Sequence, residues 1–479
     1  MKQFPKDFTW GSATSAYQIE GAHDKEGKGP SIWDSFCTIP NRIQNNDNGN
    51  IGIDHYHRFK EDVALMKSQG FKAYRFSIAW PRVMPEGKGA VNEKGIQFYS
   101  DLIDELLAND IQPWVTLYHW DLPLALQTEE DGWLNPKISD YFKDYANLCF
   151  ERFGDRVKNW ITLNEPWVIS VLGYGQGMFA PGRKSNTELY TSAHQLLISH
   201  AKAVDLYRTK YAHQNGVIGI TNNCDWREPL TDKPEDKVAA ERALQFFLGW
   251  FADPVYFGDY PEVMKERLGD RLPRFTPEES KLLKGSSDFF GLNHYTTMYA
   301  AEEQPNAQGN IKGNGGISDD QGVSLTLDPE WTLTAMDWAV VPWGCRNLLQ
   351  WISARYDKPS IYITENGFAC ADEMIDGEVD DTATRLAYYK GYLTGCHEAI
   401  DSGVDLKGYF AWSMFDNFEW AHGYGSRFGL NYVDYKTLKR TPKASAKWFR
   451  EVIAGNEIVL CLELRSGLVI YPLELVKVC

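Results

Sequence analysis

The feature that most restricts the fold is a series of short, near-continuously apolar runs spread evenly along the chain. They lie at 8–17, 73–80, 112–120, 159–165, 216–222, 288–295, 360–366 and 406–416. A strand with one wet face alternates apolar and polar residues, whereas a strand covered on both faces does not. AYRFSIAW at 73–80 and QPWVTLYHW at 112–120 show the second pattern, which predicts buried parallel strands. Between the runs the apolar residues take a helical spacing. Tyr56, Phe59, Val63 and Met66 fall on one face, as do Phe98, Tyr99, Leu102, Ile103 and Leu106. Eight such strands interleaved with helices predict an α/β fold of the closed (β/α)8 kind, the TIM barrel, over an open doubly wound sheet. No glycine-rich phosphate fingerprint follows the first run, which counts against a dinucleotide-binding sheet. At 479 residues the chain is long for a bare barrel, so its βα loops must be elaborated. The polar, Gly-rich stretch 301–328 is one such loop, expected to shape the mouth.

Charge narrows the partners. A net charge of −16 disfavours phosphate backbones and anionic membranes, so neither nucleic acid nor membrane is expected. No apolar run approaches the roughly 18 residues of a membrane span, and MKQFPKDFTW lacks the apolar core of a signal peptide. The cysteines are dispersed, with no CxxC pair, and no N-x-S/T sequon occurs. A reduced, cytoplasmic setting is expected. No HExxH or Cys/His cluster appears, and His55 and His57 do not share a helical face, so neither a metal nor another cofactor is expected.

Polar groups gather where the runs end. His119-Trp120-Asp121 closes the third, Asn164-Glu165-Pro166 the fourth, Asn293-His294-Tyr295 the sixth and Glu365-Asn366-Gly367 the seventh. The last reaches Trp412 and then Asn417-Phe418-Glu419-Trp420. In a barrel these C-terminal strand ends form the reactive face. A buried carboxylate costs several kcal/mol unless it is paired. A single strand-end Glu could be an ion-paired cap. Two of them, each beside an Asn and among aromatic residues, match the acid and the carboxylate that glycoside hydrolysis needs. Trp80, Trp160 and Trp250 are expected to be packing residues rather than sugar platforms.

Over residues 1 to about 453 the chain closely resembles glycoside hydrolase family 1, the β-glucosidase family. The matches are TWGSATSAYQIEGA at 9–22, RFSIAWPR at 75–82, TLYHWDLP at 116–123, TLNEP at 162–166, ITENG at 363–367 and AWSMFDNFEW at 411–420. The resemblance implies a retaining enzyme with Glu165 as general acid/base and Glu365 as nucleophile. It implies that Gln18, His119, Asn164, Glu419 and Trp420 hold the glycone hydroxyls, above Trp412 as platform. Arg75, Asn293 and Tyr295 match groups that orient the nucleophile and keep it ionised. Trp338 looks like the aglycone-side stacking residue. The implied substrates are small β-glucosides and cello-oligosaccharides, as in cellulose degradation; galactosides and fucosides differ at hydroxyls that the same residues contact. The family usually carries two tyrosines where this chain has His294-Tyr295, and His294 is expected to alter aglycone or loop contacts.

Two rivals are weighed on single residues. Relatives that take 6-phosphorylated glycosides replace the Glu419-Trp420 pair with a small hydroxyl residue, and Glu419 would repel such a phosphate. Barrels that only bind a glycan or a partner protein lose one or both carboxylates, and this chain keeps both. Residues 1–453 then form the catalytic domain and 454–479 an atypical extension. Within it, EIVLCLELRSGLVIYPLELVKVC reads either as a stray addition or as an apolar hairpin turning at Arg465-Ser466-Gly467, with Pro472 confining the second strand to an edge. An exposed apolar hairpin would support a homodimer.

Overall fold

The computed structural model describes residues 2–303 and 317–458, with the backbone of 463–464 and 467–468. A closed barrel of parallel strands forms its centre: β1 Thr9–Ala13, β2 Ala73–Ser77, β3 Gln112–Tyr118, β4 Asn159–Asn164, β5 Val217–Asn223, β6 Phe290–Asn293, β7 Ile361–Asn366 and β8 Leu406–Trp412. Each lies within or beside one of the apolar runs. Successive strands are neighbours, and β8 closes on β1, with Thr9 opposite Gly408 and Ala13 opposite Trp412.

Side chains at alternate positions enter the barrel. Trp114 of β3 fills its middle, with its ring 4.7 Å from Tyr362, 5.1 Å from Phe410 and 5.6 Å from Phe289. Ala13, Ala73 and Ile161 complete this layer. The other face of each strand meets the helices. Glu93–Ala108 buries Phe98, Tyr99, Leu102, Ile103 and Leu106, the face its spacing predicts. Trp80, Trp160 and Trp250 are fully buried packing residues. The barrel is thus filled with aromatic side chains below, and only its upper layer is polar.

Two expectations change. Part of the predicted loop 301–328 is regular: the helix Ile317–Gln321 is followed by the strand Val323–Thr326, which pairs with Thr297–Glu302 and, through it, with Trp226–Pro229. Arg242 secures this sheet, its Nε donating to the Gln321 carbonyl at 2.6 Å and its Nη2 to Glu302 at 2.6 Å. Pairing of a four-residue strand with one about twenty residues earlier leaves little local trace, which is why the stretch reads as loop. The rest of it, 304–316, lies outside the described residues.

The packed body also runs past residue 453. The helix Ala444–Gly455 crosses that boundary, Phe4 N donates to Asn456 O at 2.9 Å and Ile458 N to Lys2 O at 3.1 Å, so the two ends of the body pair with each other. Beyond it, Glu463–Leu464 pairs antiparallel with Gly467–Leu468. The remainder of the predicted hairpin, Pro472 included, lies outside the described residues, and so does the surface of the expected dimer. Among the described residues no helix is long and apolar enough to cross a membrane.

Candidate active site

Glu165 and Glu365 stand at the ends of β4 and β7, and in both strands the pleat is broken just before them. In β7, Tyr362 points into the barrel and Ile363 packs with the helix-facing core. Strict alternation would then turn Glu365 outward, with Ile363. The register instead slips between Ile363 and Glu365 against β6, and between Ile363 and Asn366 against β8. Such an irregularity re-aims a side chain, and Glu365 enters the barrel. β4 slips likewise between Ile161 and Asn164 against β5. Glu165 follows at φ 50°, ψ 64°, a left-handed conformation that costs a non-glycine residue about 1–2 kcal/mol. Gly367 is needed for a different reason: a Cβ there would lie 1.8 Å from the Trp412 carbonyl oxygen.

One carboxylate has a cation and the other does not. Arg75, on the barrel-facing side of β2, donates through Nη1 to Glu365 Oε1 at 2.5 Å and through Nη2 to Asn164 Oδ1 at 2.6 Å. Its remaining donors go to Thr116 Oγ1 and the Thr364 carbonyl. Tyr295 donates its hydroxyl to Glu365 Oε2 at 2.8 Å. Burial pushes the Glu365 carboxyl up, and Arg75 and then Tyr295 hold it down. Glu165 has only Asn293, whose Nδ2 donates to Oε1 at 2.6 Å. Burial first, and then the charge of Glu365, drive its carboxyl well above the ordinary range. Asn293, expected from the sequence to support the nucleophile, hydrogen-bonds Glu165 and also helps to hold the Glu365 carboxyl down, so its amide serves both carboxyls. Thr364 Oγ1 donates to Asn293 Oδ1 at 2.7 Å and fixes the orientation of that amide.

A second group of polar atoms faces the same space. His119 lies between the rings of Trp412 and Trp420, nearly parallel to both at 5.9 and 6.0 Å. Its Nε2 meets Asn164 Nδ2 at 3.1 Å, while Nδ1 is buried with no protein partner. Burial and then Arg75 depress its pKa well below the usual imidazole value, so the ring is neutral. With Nε2 accepting from Asn164, Nδ1 carries the proton and is free to donate to a ligand. Gln18, on the short helix Ala16–Ile19, donates to the Phe418 carbonyl at 2.8 Å and to Glu419 Oε2 at 3.4 Å. Burial, and then the charge of Glu365, push Glu419 up to about 8, against hydrogen bonds from Trp412 and Gln18. Near neutral pH it is largely protonated, able to donate as well as accept.

At the outer edge, the Trp338 ring is 5.0 Å from that of Tyr295 and 6.1 Å from that of Phe428. His294 is not there. It is fully buried, with Nδ1 on the carbonyl of Cys224, in the loop after β5, at 2.8 Å and its ring 5.9 Å from Tyr392. Of the aglycone or loop contacts expected for it, the structure shows a loop contact. The strand pleat explains this, since neighbours in sequence point to opposite sides. The structure therefore brings together all the sugar-site candidates read from the sequence. It adds Trp120, whose Nε1 donates to the Asn164 carbonyl at 2.9 Å, and Thr116 and Thr364 around Arg75 and Asn293. Trp120 was discoverable from its place beside His119 at a strand end; the two threonines read only as strand formers. Among the described residues no group of three His, Cys, Asp or Glu side chains is arranged to hold a metal.

A model of glycosyl hydrolase family 1 matches residues 1–458. The chain belongs to glycosyl hydrolase family 1. Beta-glucosidase 42 of Arabidopsis thaliana is 51% identical to this family 1 chain over 471 residues, covering 95% of it and 94% of the relative. Beta-glucosidase 1B of Phanerodontia chrysosporium is 49% identical, covering 95% and 87%. Among solved structures, the rice β-glucosidase Os3BGlu6 superposes with a TM-score of 0.89 at 46% identity, covering 93% of this chain and 98% of that one. A β-glucosidase from Thermotoga maritima, solved with deoxynojirimycin, also gives 0.89, at 43% identity and with 96% and 100% covered. The family match ends at 458 and not at 453.

Proposed function

We propose that this family 1 chain is a β-glucosidase that removes terminal β-D-glucosyl residues, from aryl glucosides and short oligosaccharides such as cellobiose, with retention of configuration. The observation that carries the reading is the asymmetry of the two buried carboxyls: Arg75 and Tyr295 hold Glu365, while Glu165 has no cation. A charged carboxylate and a protonated acid facing one space are the two reagents of double displacement. Glu365 attacks the anomeric carbon, forming a C–O bond as the bond to the leaving oxygen breaks. Glu165 passes its proton to that oxygen. The ester so formed has lost the negative charge of Glu365, so the pKa of Glu165 falls and it can take a proton from water in the second step. His119, Gln18, Glu419 and Asn164 offer the donors and acceptors that hold sugar hydroxyls, and Trp412 a flat face beneath the ring. A rice relative with a TM-score of 0.89 was solved in a covalent complex with Glc, which supports the covalent step. The test is hydrolysis of a p-nitrophenyl β-glucoside followed by NMR, with a kcat/KM panel over glucosides, galactosides and cello-oligosaccharides. β-Glucose should appear first; α-glucose as the first product would sink the mechanism.

The same asymmetry sets the pH dependence. The working form has Glu365 ionised and Glu165 protonated, so kcat/KM falls below the pKa of Glu365 and again above that of Glu165. Burial raises both, which places the acid limb above the ordinary glutamate range and the alkaline limb well above it. A profile that is flat through this window would contradict these assignments.

Glu419→Ser tests glycone recognition. It deletes a buried partner of Gln18 and leaves sugar hydroxyls unpaired, which is expected to lower kcat/KM for aryl glucosides by roughly 3 kcal/mol, about a hundredfold. A near-neutral effect would place Glu419 outside the sugar subsite.

A further inference from the structure

Resting on the reading of Glu365 as nucleophile, we propose that Tyr392, assisted by Tyr388, is a positioning residue that locks Tyr295 against Glu365 and ties it to the segment carrying Trp338. Both tyrosines lie on the helix Ala387–Asp401, behind the barrel wall, and touch neither carboxylate through any hydrogen bond described above. Their hydroxyls converge on one atom. Tyr392 donates to the Tyr295 carbonyl at 3.0 Å and Tyr388 donates to it at 3.1 Å.

The proton directions follow from the other partners. Val341 N–H can only donate, and it meets Tyr392 Oη at 3.1 Å, so the Tyr392 proton is left for Tyr295 O. Asn366 Nδ2 donates to the His294 carbonyl at 2.5 Å, which fixes the amide orientation, and also to Tyr388 Oη at 2.8 Å. The Tyr388 hydroxyl is hydrogen-bonded to Tyr392 as well as to Tyr295 O, so the two tyrosines act on that carbonyl as one cluster. Rotating that peptide would pull its carbonyl away from two buried hydroxyls, at 3.0 and 3.1 Å. His294 N donates to the Glu365 carbonyl at 3.1 Å, so the held peptide is also joined to the strand end that bears the nucleophile.

Tyr392 differs from Tyr388 in its second partner. Val341 closes the stretch that begins at Trp338, and Thr296 Oγ1 holds the Ala339 carbonyl of that stretch at 2.9 Å. Trp338 and Tyr295 face each other at 5.0 Å, so one hydroxyl sets the spacing between the group that keeps Glu365 ionised and the ring at the outer edge of the site. Tyr388, bound to Asn366, acts on the nucleophile side alone.

The test compares Tyr392→Phe, Tyr388→Phe and Tyr295→Phe, singly and in pairs, in the full-length enzyme, with melting temperature as the check on folding. Tyr392→Phe should lower kcat/KM about tenfold, the scale of one net buried hydrogen bond. It should move the acid limb upward by roughly half a pH unit, because a loosened Tyr295 stabilises the Glu365 charge less. It should also raise KM for cellobiose while leaving inhibition by glucose unchanged. Tyr388→Phe should reproduce the acid-limb shift without the KM effect. In a Tyr295→Phe background neither change should move the acid limb further. Additive shifts in that background, or an unmoved acid limb in folded Tyr392→Phe, would overturn the proposal. An inactive wild-type enzyme would instead remove the β-glucosidase reading on which it rests.

Discussion

Replacing Glu365 by glycine is expected to abolish turnover of every β-glucoside, on the order of 10⁵-fold or more, the scale seen when a covalent nucleophile is deleted. No neighbour can substitute. Glu165 is tied to Asn293, and Glu419 is held by Gln18. The fold should survive, because Arg75 keeps Asn164, Thr116 and the Thr364 carbonyl as partners for its guanidinium. The vacated space admits a small anion beside that cation. Azide or formate should therefore restore activity on activated aryl glucosides, and azide should leave as the α-glucosyl azide. A second consequence is electrostatic: with the Glu365 charge gone, one of the causes raising Glu165 is lost, so its carboxyl should titrate lower. Wild-type turnover in the folded variant would remove Glu365 from the mechanism.

Glu165→Ala should divide substrates by their leaving groups. Dinitrophenolate leaves without a proton, so dinitrophenyl glucoside should still form the covalent intermediate rapidly and then stall for want of a base. Cellobiose and alkyl glucosides need protonation and should lose about 10²–10⁴ in kcat/KM, the range typical of general acid catalysis. The alkaline limb of the pH profile should vanish with the group that produces it. A rapid-quench burst with the activated substrate, followed by slow turnover, would be the direct observation. Equal losses across all leaving groups would contradict the acid role. Asn293 gives a subsidiary check, since its amide is a hydrogen-bond donor to Glu165 Oε1.

Much of this was legible because burial on both faces leaves a strong signature. The eight apolar runs located every barrel strand, and the polar triplets at their ends located Glu165, Glu365, His119 and Glu419. The helical spacing of Phe98, Leu102 and Leu106 identified the face that packs on the barrel. Where the signature was weak the reading failed. Val323–Thr326 is too short and too far from its partner to be seen. For His294 the sequence left aglycone and loop contacts open, and only the packing against Tyr392 and the Cys224 carbonyl decides for the loop.

The sequence by itself therefore determined the barrel, the order of its strands and the strand ends where chemistry occurs, since apolar continuity and spacing are local properties. Which way Glu365 faces was decided only by tertiary structure. Counted from Tyr362, strict alternation would turn Glu365 away from the sugar space, and the register slip in β7 turns it inward. Glu165, by contrast, shares the parity of Ile161, which already faces the barrel interior. The β7 slip exists because neighbouring strands pair out of step near the top of the barrel. The division of labour between the carboxyls was settled in the same way, by which one Arg75 could reach from β2. Identical side chains came to stand in unequal surroundings because a cation and a tyrosine hydroxyl, distant in the chain, met only one of them.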